Sequence, residues 1–222
     1  MDKKSLFKII CGILSLVFVL SSCNKLSPRD LIMPDVEMPG FGNNDDNIQG
    51  TAFPFPAKIS IDGQIKGGES YSADTILGSG GLVTILVPLK NDTSVAIWVE
   101  FPAAMVFQCN STEYQNGLLL KKVRILVRPG KFYVALKLYC CNMGRHASSA
   151  SAGYQNPVVC TTSEIVQLCD KFKNKAINYG ENQANYSTNQ NKIQDIVWHL
   201  TQYGKMPSSS DLDFINSLPN GN

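Results

Sequence analysis

Seven cysteines and two histidines carry most of the reactive chemistry open to this 222-residue chain. Cys109, Cys140, Cys141, Cys160 and Cys169 fall in the body of the sequence, beyond the N-terminal Cys11 and Cys23. Cys140 is singled out by position, because it closes the last run with strand alternation and everything after it is patterned as helix and loop. A thiol acts as nucleophile or ligand in its thiolate form, which needs a lowered pKa or a nearby base. His146, in the loop after Cys140, and His199 are the only imidazoles in the chain, and either is a candidate base. Such a set is compatible with covalent chemistry at Cys140, with a Cys/His hydrolase using Cys140 and His199, or with a metal held by Cys140, Cys141 and His146. Adjacent strand residues point to opposite faces, which weighs against the metal. There is no P-loop, Rossmann glycine pattern, HExxH or GxSxG, and nothing calls for a cofactor. Five cysteines cannot all pair. Cys109 with Cys141 and Cys160 with Cys169 is one connectivity that leaves Cys140 free.

The elements that must position these residues divide the chain in two. Ala57–Ile61 alternates and ends at Asp62-Gly63, a strand with a turn signal. Leu82–Leu89 and Ser94–Phe101 are β-branched runs around Lys90-Asn91-Asp92-Thr93, which predicts a hairpin, and Met105–Phe107 is a further short strand. Leu118–Val127 and Phe132–Tyr139 flank Arg128-Pro129-Gly130-Lys131, a type II turn signal. About six strands without intervening helices predict an antiparallel β-sandwich or open barrel. Lys121-Lys122-Val123-Arg124 reads as one strand's solvent face. Beyond Cys140, Thr161–Glu164 has capping-box spacing and opens a helix with Ile165, Leu168, Cys169, Phe172 and Ala176 on one face, stopped by Gly180. Ser187–Gln190 is a second capping box, opening a helix to about Tyr203 with Gly204 as its stop. Its stripe is Ile193, Ile196, Val197, Leu200 and Tyr203, with Gln194 at the border. Ser208–Leu218 makes a last short helix. The expected class is α+β: the β-platform followed by two main α-helices packed on it.

The N-terminus predicts processing. Lys3, Lys4 and Lys8 precede an uncharged apolar run from Ile9 to Leu20, too short for a spanning helix, so residues 1–22 read as a signal peptide. Leu20-Ser21-Ser22-Cys23 resembles the lipobox of bacterial lipoproteins. That resemblance implies a mature chain beginning at lipidated Cys23, anchored to a membrane by several acyl chains. Asn24 stands where inner-membrane retention favours aspartate, which leans towards the outer membrane and, with it, possible surface exposure. Residues 23–50, rich in Pro, Gly, Asn and Asp, read as a flexible tether, and residues 51–222 as a single module. The whole chain has 20 basic and 18 acidic side chains; removing Lys3, Lys4, Lys8 and Asp2 leaves 17 of each. A neutral mature chain has no long-range attraction for nucleic acid. The oligomeric state stays open.

Two short motifs carry a second resemblance. Tyr139-Cys140-Cys141-Asn142 and Ile193-Gln194-Asp195-Ile196-Val197, followed by Trp198, resemble the paired motifs of bacterial thioester domains. Ile193 stands where that family commonly has threonine, and Cys141 where it usually has an aliphatic residue. The resemblance implies that the Cys140 sulfur condenses with the Gln194 side-chain amide, losing ammonia, to give an internal thioester. It further implies covalent capture of amines, such as lysines of a host or surface protein, and so adhesion rather than turnover. Trp198 and Tyr139 are the expected apolar shields of such a bond. A non-covalent binding or structural lipoprotein of the same architecture, and a cysteine hydrolase, are the alternatives.

Overall fold

The computed structural model describes residues 38–68, 72–181 and 183–221. The signal peptide, Cys11, the lipidation site Cys23 and the first part of the expected tether lie outside them. The fold is α+β, mainly antiparallel sheet with three helices near the C-terminus. In chain order the strands are β1 (Gly50–Ala52), β2 (Ile59–Ile61), β3 (Ile65–Gly67), β4 (Thr75–Gly78), β5 (Val83–Asn91) and β6 (Ile97–Phe101). There follow β7 (Met105–Phe107), β8 (Gly117–Leu119), β9 (Val123–Val127), β10 (Gly130–Cys140), β11 (Gly153–Tyr154) and β12 (Val158–Cys160). The helices are α1 (Ser163–Phe172), α2 (Tyr186–Tyr203) and α3 (Ser209–Ser217). The main sheet runs β1-β12-β7-β8-β10-β5-β3-β11, with β2 also on β5 and β4 parallel to β10, while β6 and β9 form a separate ribbon.

Strand β10 organises this arrangement. Its first nine residues pair with β5, from Gly130 opposite Asn91 to Leu138 opposite Val83. Its last two, Tyr139 and Cys140, pair instead with Leu118 and Gly117 of β8. The side-chain period of two sends neighbours to opposite faces. Val134, Leu136, Leu138 and Cys140 therefore enter one core with Val83, Ile85, Val87 and Leu89 of β5. Tyr139 and Cys141 enter a second core, beneath Ile165, Leu168 and Phe172 of α1 and Ile193, Ile196, Val197 and Leu200 of α2.

Several expected elements are corrected. The hairpin at Lys90–Thr93 does not form. The Asn91 carboxamide donates to the carbonyls of Val95 at 2.8 Å and Val127 at 3.0 Å, turning the chain out of the sheet so that β6 pairs with β9. The expected strand Leu118–Val127 is broken into β8 and β9 around Lys121, and Lys121 is not on a solvent face. It is buried, with Nζ donating to the Lys175 carbonyl at 2.8 Å and to both Glu181 oxygens at 3.0 Å. A buried ammonium that loses its carboxylate is left uncompensated. Glu181→Ala is therefore expected to cost roughly 2–3 kcal/mol, read as a lowered denaturant midpoint. Neither expected capping box closes: Thr162 and Asn185, the N-caps of α1 and α2, make no side-chain cap bond. The box that does form is Ser208 with Asp211, opening α3. Helix α1 stops at Phe172, well before Gly180, whereas α2 ends as expected on left-handed Gly204 with φ 64°.

The largest correction concerns the tether. From Met38 onward the chain is part of the domain: Met38, Phe41 and Ile48 are buried in the second core, and Gly50–Ala52 adds a strand against β12. The polar composition misled because it ignored one aromatic anchor and the backbone partners waiting for it. Gly42 donates to the Cys141 carbonyl at 2.9 Å, and the carboxamides of Asn116 and Asn142 donate to the carbonyls of Gly40 and Gly42. A Cβ on Gly42 would lie 2.5 Å from the Thr201 carbonyl, so only glycine permits this approach to α2.

Candidate functional site

The end of β10 meets the middle of α2 at Cys140 and Gln194. Helical spacing places Gln194 and Trp198, one turn apart, on the same side of α2. Gln194 is buried and its carboxamide pairs with the backbone of Cys140 at both ends. The Cys140 N–H donates to Oε1 at 2.9 Å, and Nε2 donates to the Cys140 carbonyl at 2.9 Å. Trp198 donates its indole Nε1–H to Cys140 Sγ at 3.2 Å. Sulfur and carboxamide, 54 residues apart in sequence, thus share one buried corner.

The electrostatics of the thiol are a contest. Burial pushes Cys140 up to about 11, opposed by the Trp198 indole N–H, the Asn142 backbone N–H and, further off, the Arg145 guanidinium. Burial wins, so the resting group is the neutral thiol. Below its pKa the thiolate fraction grows about tenfold per pH unit. A Gln194→Ala variant keeps the thiol free, and its Cys140 is expected to alkylate with iodoacetamide about tenfold faster for each unit between roughly pH 7 and 10. Peptide mass mapping separates this signal from the other cysteines. A rate flat across that range would contradict a raised pKa.

The remaining expected site residues are not brought in. His146 is exposed, its ring 6.1 Å from that of Tyr114, and His199 is exposed with its ring 6.2 Å from Tyr203. Neither histidine is among the hydrogen-bond partners of Cys140 or Gln194 in the described residues. The reason is helical: His199 follows Trp198 by about 100° of rotation and lines a different cavity, with Lys205 and Asp211. Tyr139 is buried in the other core and does not cover the sulfur. All five described cysteines are buried free thiols. Cys109 and Cys141 lie in different cores, so the expected Cys109–Cys141 bridge does not form. Cys160 and Cys169 share a core but are unbonded. Cys140, the last residue of β10, and Cys141, just past it, face different cores.

No family model, no curated protein and no solved structure matches the chain. The site therefore rests on its own geometry. Sequence reasoning gave no supporting role to Asn116, Asn142 or Arg145. Asn142 is fully buried: its Oδ1 accepts from the Asn116 N–H at 2.9 Å while its Nδ2 holds Gly40 and Gly42. Arg145 is ion-paired with Asp45. The one available signal was Asn142's place directly after the two cysteines, where a polar side chain must be satisfied internally or face water.

Proposed function

We propose that this chain is a lipid-anchored cell-envelope protein whose module joins Cys140 Sγ to Gln194 Cδ as an internal thioester and uses it to capture amines of a host or surface partner. The observation that carries this reading is the double hydrogen bond between the Gln194 carboxamide and the Cys140 backbone, with the Trp198 N–H on the sulfur. In the condensation the sulfur attacks Cδ, the C–N bond breaks, and the thiol proton leaves on ammonia. The Cys140 N–H already contacts Oε1, where negative charge develops at the tetrahedral stage, and preorganised donors of this kind are the strongest aid to acyl transfer. Tying the carboxamide to the backbone of the residue that bears the sulfur offsets part of the entropic barrier, which positioning lowers by about 7–11 kcal/mol in favourable intramolecular cases. Trp198 donates only, so it stabilises a thiolate without acting as base. Capture of an amine consumes the bond once, so the activity is stoichiometric binding rather than turnover.

Anchorage at the envelope rests on the signal-like N-terminus and the lipobox-like Leu20–Cys23. An outer-membrane or surface position is the corresponding expectation. The same two hydrogen bonds also suit a second reading, in which Gln194 merely satisfies the end of β10 in a non-covalent binding lipoprotein. Intact mass of the mature protein separates them: the thioester lowers it by about 17 Da, one ammonia, and the structural glutamine leaves it unchanged.

A further inference from the structure

Of the two partners, Cys140 is wholly buried while Gln194 keeps a small exposed fraction, and one cavity reaches it. This cavity, of about 330 Å³, is lined by Gly81, Leu82, Gln190, Asn191, Gln194, Asp195 and Trp198. Gln190 forms a fixed wall, its Nε2 donating to the Ser79 carbonyl at 3.1 Å and to the Tyr186 hydroxyl at 3.3 Å. The polar atoms of Gln194 are engaged with Cys140. Asp195 is the only charged residue in the lining, and no ion pair holds it among the described residues. The cavity thus offers an incoming group one unpaired carboxylate and an indole. Together these are the chemistry of ammonium recognition, by charge attraction and by cation–π contact.

We infer that this cavity is the entry for the captured amine, and that Asp195 with Trp198 selects alkylammonium groups of the lysine type over uncharged nucleophiles. The inference rests on the thioester reading. Asp195 concentrates the ammonium at the mouth, and the amine attacks after losing a proton to water. Attack at Gln194 Cδ then forms the C–N bond and the C–S bond breaks; of the two remaining amine protons, one ends on the Cys140 sulfur and the other stays on the new amide nitrogen. Asp195 touches the incoming amine rather than the bond, so it is a specificity residue.

The test compares methylamine, an ammonium ion at neutral pH, with hydroxylamine, uncharged at about pH 8, on wild type, Asp195→Asn and Asp195→Glu. Adducts are followed by mass on the whole mature protein. Because Asp195 is exposed, one screened charge contact is expected to lower the methylamine-to-hydroxylamine rate ratio about fivefold in Asp195→Asn, with recovery in Asp195→Glu. The wild-type ratio falls towards that of Asp195→Asn as salt rises. An unchanged ratio in Asp195→Asn overturns the assignment while leaving the thioester standing. So does loss of the 17 Da deficit in Asp195→Asn alone, which puts Asp195 in bond formation instead. A wild type without the deficit removes the thioester reading and this inference with it.

Discussion

Mature protein carrying Cys140→Ala is expected to take up no methylamine and to show the full mass of its sequence, whereas the proposed thioester predicts a wild type that lacks about 17 Da and gains methylamine at Gln194. The expected effect is total, because alanine supplies no sulfur and, among the described residues, Cys140 is the one cysteine hydrogen-bonded to the Gln194 carboxamide. Cys141 is the nearest in sequence, yet it faces the second core with Cys160 and Cys169, where burial raises Cys141 and Cys169 strongly. It cannot substitute. Replacement of a fully buried cysteine by alanine removes little volume, so the variant folds and the comparison stays clean. Methylamine uptake by Cys140→Ala equal to wild type would remove the covalent proposal outright.

Phe41→Ala is expected to destabilise the domain by about 3–5 kcal/mol, the usual cost of removing a fully buried phenylalanine. Were residues 23–50 a free leash, the same change would cost nothing, so thermal or denaturant unfolding decides between them. The effect also reaches the site. Phe41 lies between Gly40 and Gly42, whose carbonyls hold the Asn142 carboxamide, and the Asn142 N–H is one of the groups that lower the Cys140 pKa. Loss of the aromatic anchor is therefore expected to slow amine capture as well as to lower stability. Asn142→Ala separates the two consequences. It leaves Phe41 in its pocket, strands a buried Asn116 N–H and removes one of the ties on the Gly40–Gly42 turn, at a cost of about 1–3 kcal/mol for the unsatisfied donor.

Local pattern determined a good deal here. The alternation of β5 and β10, the stop of α2 at Gly204, the buried stripe Ile193, Ile196, Val197 and Leu200, and the α+β class all follow from side-chain period and backbone preference. These are properties of a few consecutive residues, which is why a sequence displays them. The two motifs around Cys140 and Gln194 were visible in the same way, as short strings. Their contact was not. Whether β10 leaves β5 after Leu138, whether β6 turns to β9 instead of β5, and whether the chain from Met38 docks are set by pairings between distant segments. Tertiary structure alone put Trp198 rather than a histidine on the sulfur, buried Lys121 against Glu181, and made Phe41 a core residue. The physical reason is common to all three: burial and partner choice depend on which surfaces meet, and residues tens of positions apart meet only after the sheet has closed.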